Sequence, residues 1–154
     1  MPQLQTKYVG TMAYDESSAF DFPSGLPGFR QEKAFVFIEM PEYAPLVFLQ
    51  SLSQPALCFL ALPVLSVNPD YRLAVSAEDR ASLELDPGRD PEPGDGILAL
   101  ALVSLHEGLL PTANLMAPIV VNVQQRRALQ AIRVDRVYSH QHPVYSSQQY
   151  EGVC

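Results

Sequence analysis

This sequence predicts an all-β fold, a mainly antiparallel β-barrel or sandwich with one short helix near residues 76–83. Three observations carry that prediction. Short apolar runs rich in β-branched and aromatic residues recur along the chain, bounded by Pro, Gly, Asn or Gln, which is the pattern of strands and tight connections. Pro occurs 14 times and Gly 8 times in 154 residues, and that frequency of breaks disfavours long helices. Only one stretch combines a helix-capping residue with acids in the first turn.

Taken in order, Gln3 to Gly10 reads as a weak edge strand, with Gly10 leading into Thr11-Met12-Ala13-Tyr14 as its hairpin partner. Strands follow at Lys33 to Glu39, Leu46 to Ser51, Leu57 to Val64, Ile97 to Leu105, Ile119 to Val123 and Ala128 to Val134. The helix begins at Ser76, whose hydroxyl suits an N-cap, with Glu78 and Asp79 placed to favour the positive end of the helix dipole. It stops before Asp86-Pro87-Gly88-Arg89-Asp90-Pro91-Glu92-Pro93-Gly94-Asp95-Gly96, a turn-forming acidic loop. No internal repeat or linker divides the chain, so one domain over 1–154 is expected, with 139–154 as a candidate flexible tail.

Hydrophobic residues make up 47% and charged residues 18%, a balance that sets the chain apart from disordered and coiled-coil sequences. The net charge of -7 is unevenly spread: residues 1–110 hold 15 Asp and Glu against 6 Lys and Arg, whereas 111–154 hold 2 against 4. Such a chain repels polyanions, which argues against direct nucleic-acid binding and suits a basic protein partner. No apolar run is long enough to span a bilayer, and Met1 to Lys7 lacks a basic-then-apolar signal, so a cytoplasmic, membrane-free protein is expected. Cys58 sits inside an apolar run and Cys154 is terminal, so a structural disulfide is not expected.

Signals for chemistry are weak. Gly25-Leu26-Pro27-Gly28 lacks the Lys and Ser/Thr of a phosphate loop and reads as a turn. His140 and His142 share one side of an extended chain and, with His106 or Cys154, would make a minimal metal site; they carry the alternative of a metal-assisted hydrolase. A purely structural assembly subunit is a further alternative. Asp70 with Glu78 or Asp79 reads as capping and solvated charge before it reads as an acid-base pair. Arg126, Arg127, Arg133 and Arg136 are the one basic concentration, but in a continuous strand they divide between two faces, without interleaved aromatics for stacking bases.

Two motifs stand out. Phe22-Pro23-Ser24-Gly25-Leu26-Pro27-Gly28-Phe29 is a rigid connector in which Phe22, Leu26 and Phe29 would anchor a turn. Ala113-Asn114-Leu115-Met116-Ala117-Pro118-Ile119-Val120-Val121-Asn122 is an extended segment broken by Pro118, with Asn114 and Asn122 suited to bond backbone where the strand is irregular. Between and after them, in order, lie Phe48-Leu49-Gln50-Ser51, Pro55, Phe59, Pro63, Asn68-Pro69-Asp70-Tyr71 and His142-Pro143. In these motifs and their order the chain resembles the FliW family of flagellar assembly factors. It departs in having Arg30 where an acid often follows Gly-Phe, and in the Pro-rich character of its acidic loop.

The resemblance implies a non-enzymatic cytoplasmic regulator without cofactor. Such proteins bind flagellin as chaperone-like partners and bind the small basic RNA-binding dimer CsrA, relieving its repression of flagellin mRNA. The residues expected to carry the family pattern are Phe22, Pro23, Gly25, Leu26, Pro27, Gly28, Phe29, Leu49, Gln50, Ser51, Asn114, Leu115, Ala117, Pro118 and Asn122. For the CsrA-facing surface the candidates are Asp70, Tyr71, Glu78 and Asp79, with Glu84, Asp86 and Asp90 adding long-range attraction.

Overall fold

Alternation of apolar residues builds a barrel whose inside and outside are both apolar over most of its wall. The computed structural model describes residues 3–6, 10–15, 18–94 and 96–144. Strands β3 (Ala19–Asp21), β4 (Ala34–Glu39), β5 (Val47–Ser51), β6 (Cys58–Pro63) and β7 (Ile97–Ser104) pair antiparallel in succession. The chain then makes the short β8 (Thr112–Ala113) before β9 (Ile119–Asn122), which pairs with β7, and β10 (Arg127–Gln130), which pairs with β9. Contact of β10 with β3 closes a seven-stranded barrel: Arg127 lies opposite Asp21, and the Asp21 amide donates to the Arg126 carbonyl at 2.9 Å. Strand β8 also joins β7 to β11 (His142–Pro143), while β1 (Gln3–Thr6) and β2 (Gly10–Ala13) form the expected hairpin as a separate two-stranded sheet.

The two faces of the wall carry separate clusters. Phe20, Phe35, Val47, Leu49, Ala61, Leu100, Ile119, Val121 and Ala128 come from all seven barrel strands and meet inside. Their opposite-facing neighbours, among them Val36, Phe48, Leu60, Leu62, Val120 and Leu129, are buried outside the barrel, under Val64, Tyr71, Leu73, Val75, Leu83 and Leu115. The segment from Val64 to Leu83 is therefore a cover over the sheet, which is why β5 is buried on both faces. It holds a short helix α1 (Val64–Val67), absent from the sequence expectation, which begins where Pro63 ends β6. The expected helix is α2 (Ala77–Ser82), with Ser76 Oγ accepting from the Asp79 amide at 3.1 Å.

The last barrel strand is shorter than expected, ending at Gln130 instead of Val134. The chain beyond it still lies along residues 116–118, with the Ala131 amide donating to the Pro118 carbonyl and that of Arg133 to Met116. The return bonds are missing because Pro118 has no N–H and the amide of Met116 is taken by Asn114 Oδ1, at 3.1 Å. A ladder bonded in one direction only no longer counts as a strand. Residues 145–154, including Cys154, lie outside the described part of the tail.

Candidate functional site

The Phe22 to Phe29 connector closes one end of the barrel. Phe22 and Leu26 are buried in the interior cluster, and Phe22 packs edge-on against Phe35 with centroids 5.1 Å apart. The turn is cinched by reciprocal backbone bonds between Leu26 and Phe29, and Gly25 lies so close to Arg30 that a Cβ would meet its carbonyl oxygen at 2.6 Å. Phe29, expected as a core anchor, is instead 39% exposed and packs edge-on, at 5.4 Å, against Phe59 at the rim of the interior cluster.

A carboxylate that sequence reasoning missed fastens this plug. Glu32 is buried and accepts hydrogen bonds from Ser51 Oγ at 2.8 Å, from Ser53 Oγ and from Gln54 Nε2. Those bonds, that from Ser53 foremost, hold its carboxyl below the usual range against the opposing effect of burial. Gln50 completes the lock from β5, its Nε2 donating to the carbonyls of Ser51, Gln54 and Pro55, each at 3.2 Å. The cluster of polar residues Ser51, Ser53 and Gln54 just after an apolar strand was the available signal for a buried acid.

The Asn68-Pro69-Asp70-Tyr71 motif divides between surface and core. Asn68 Oδ1 accepts from the Asp70 amide at 2.9 Å, an Asx turn that leaves the Asp70 side chain in solvent. Tyr71 was expected as an exposed interface anchor, and the structure corrects this. It is 4% exposed, its hydroxyl donates to the Leu115 carbonyl at 2.7 Å, and burial pushes the phenol's pKa up. An amphipathic ring on a turn suits either location, and here the apolar cover needed it.

Asp70 instead forms one wall of a cleft of about 810 Å³ between Pro69–Leu73 and Asp90–Pro93. Among the described residues the cleft brings together Asp70, Asp90 and Glu92, the last absent from the sequence-derived candidates, against the single cation Arg72. Asp90 also has a structural duty: its Oδ1 accepts from the Val75 amide at 2.9 Å and from Arg80 Nη1 at 3.2 Å, tying the acidic loop to α2. Asp86 lines a neighbouring groove with Asp90 and Glu92, and its Oδ1 accepts from the Gly88 amide at 2.8 Å. Glu78, Asp79 and Glu84 line neither depression, so they contribute to the field and not to the cleft.

The arginines do not assemble a patch. Arg127 Nε donates to the Ser82 carbonyl at 2.8 Å. Arg133 is buried, bidentate to Asp135, bonded to the Arg72 carbonyl at 2.6 Å and set over the rings of Tyr71 and Tyr138 at 5.5 and 4.8 Å. Because β10 ends at Gln130, the four arginines do not share one strand. His106 Nε2 bonds Thr112 Oγ1 at 3.1 Å, His142 belongs to β11, and among the described residues no three His, Cys, Asp or Glu converge on a common metal position. Asn114 and Asn122 serve backbone as expected, Asn122 Nδ2 donating to the Leu83 carbonyl at 2.8 Å.

The architecture is thus that of a small closed β-barrel protein with a covering layer, plugged at one end and bearing an acidic cleft on its flank. The chain belongs to the FliW family: the family model described as FliW protein matches residues 3–144. It is 32% identical over 142 residues to the flagellar assembly factor FliW of Bacillus subtilis, covering 92% of this chain and 95% of that one. The same-named protein of Syntrophomonas wolfei is 29% identical over 149 residues, covering 97% and 92%. A crystal structure of the flagellar assembly factor FliW superposes with a TM-score of 0.80 at 28% identity, covering 96% of this chain and 99% of that one.

Proposed function

We propose that this protein is a cytoplasmic, non-enzymatic flagellar assembly factor that binds CsrA, relieving its repression of flagellin mRNA, and binds flagellin as a chaperone-like partner. Membership of the FliW family supplies the flagellar context. The acidic cleft carries the rest: Asp70, Asp90 and Glu92 converge on one depression of a chain whose net charge is -7, which favours a basic protein over RNA. The same field repels mRNA, so relief of repression acts through the regulator and not through the message. No helix among the described residues is long and apolar enough to cross a membrane, which is compatible with a cytoplasmic role.

The test is calorimetric titration of the purified chain with CsrA and, separately, with monomeric flagellin at low and high salt. A CsrA complex that weakens as salt rises, together with restored translation of a flagellin reporter without RNA binding by this protein, is expected. Folded proteins that form no complex at low ionic strength would sink the reading.

A further inference from the structure

The barrel's two ends are built differently. The end at Asp21, Ala34 and Ser51 is filled by Phe22 and Leu26 and locked by Glu32. At the other end the inward-facing rows of β3, β4, β5, β6 and β7 run out at Phe20, at Phe37 and Glu39, at Val47, at Pro63 and at Leu98 and Leu100, and nothing in the described chain fills the space between them. The result is an apolar mouth of about 310 Å³ with Leu65 and Leu98 exposed at its lip, 42% and 40% respectively. Mouths of β-barrels are among the preferred places for ligands, and a large open apolar cavity is costly to leave to water.

Two observations specify the occupant. Among the described residues Glu39 is the one ionisable group lining the mouth, and it shows no ion-pair partner there. Leu65 and Pro93 line both the mouth and the acidic cleft, so the depression continues from an apolar end to one walled by Asp70, Asp90 and Glu92. We infer that the barrel mouth receives a bulky apolar side chain of a protein partner, from an amphipathic segment whose flanking Lys or Arg residues meet Glu39 and the cleft carboxylates. This rests on the partner-binding reading above and assigns the anchor point for that partner. It follows from complementarity of both kinds: an apolar anchor desolvates in the pocket, and flanking cations find carboxylates already in place.

The experiment uses the isotope-labelled full chain, titrated by NMR with a short amphipathic Leu/Lys peptide and with the same peptide carrying Glu for Lys. The Leu/Lys peptide is expected to shift the amide resonances of Glu39, Gly94 and Leu98, and the Leu/Glu peptide to leave them unmoved. Leu98→Lys fills the lip with a competing cation, and Glu39→Lys reverses the charge without touching the apolar wall. Each is expected to weaken peptide binding by about tenfold or more, with Leu98→Lys doing the same to CsrA or flagellin, whereas Val134→Lys, 94% exposed and outside the mouth, changes nothing. Shifts elsewhere only, equal binding of both peptides, or wild-type affinity in both mouth variants overturns the inference. A wild-type chain that binds neither CsrA nor flagellin overturns the proposed function instead, and the peptide titration still decides the mouth.

Discussion

The hydroxyl of Tyr71 donates to the carbonyl of Leu115 at 2.7 Å, joining two motifs 44 residues apart. The bond pins the covering segment onto the extended run after β8, and Tyr138 closes over it with ring centroids 4.3 Å from Tyr71. Tyr71→Phe keeps the ring and orphans the Leu115 carbonyl, at an expected cost of about 1–3 kcal/mol. Urea unfolding should show a lowered midpoint at unchanged slope, and under the proposed function affinity for CsrA should stay at the wild-type value because the hydroxyl is directed at the Leu115 carbonyl and not into the cleft.

Glu32 ties stability to pH. Its folded-state pKa is lowered, first by the Ser53 hydrogen bond and then by that of Ser51, so its contribution is present above the unfolded value near 4.5 and fades as pH falls through the lower folded value. The stability difference between wild type and Glu32→Gln should therefore be constant near neutrality and shrink below about pH 4.5. Asp135, likewise lowered by its Arg133 partner, titrates in both proteins and cancels in the difference. A gap that persists unchanged at pH 3 refutes the assignment.

The two glycines of the plug should respond unequally. Gly28, at φ +84, has open space where a Cβ would go, so Gly28→Ala meets only the left-handed backbone penalty, about 1–2 kcal/mol. Gly25, at φ +63, adds a collision with the Arg30 backbone. Thermal melts of the two variants should place Gly25→Ala clearly below Gly28→Ala, and equal melting temperatures would show that the turn relaxes freely.

Asp90 and the acids of α2 separate structural from long-range charge. Asp90→Ala leaves the Val75 amide without its acceptor and takes from Arg80 its ion-pair partner, the Val75 and Pro87 carbonyls remaining to it, and should destabilise by about 1–3 kcal/mol. Glu78→Lys with Asp79→Lys should slow association with CsrA and flatten its salt dependence, at about 1 kcal/mol or less in stability. Stopped-flow rates across a salt series distinguish the two, and unchanged kinetics in the Glu78 and Asp79 variant would move the steering surface elsewhere.

Much of the fold was legible in the residues. Strand period, the Ser76 cap and the breaks at Pro and Gly are local properties, fixed within a few residues, and β4, β5, β6, β7, β9 and the helix α2 emerged from them near their observed bounds. The end of β10 was not, because it depends on Asn114 capturing the Met116 amide that an extended β10 would have used, a choice made by residues on a neighbouring segment. Tyr71 shows the same limit for the site: its sequence context fits a surface anchor, and only the packing of residues 64–83 over the barrel placed it inside.

By itself, then, the sequence determined the all-β class, the turn chemistry, the acidic balance and the FliW resemblance, all of which reside in composition, order and short-range spacing. Tertiary structure alone decided that the family's first motif is a barrel plug, that Glu32 locks it, that Asp70, Asp90 and Glu92 share a cleft, and that the opposite end stays open. The reason is physical. Those arrangements depend on closing a sheet on itself, and closure brings together side chains whose separation along the chain carries no signal of their separation in space.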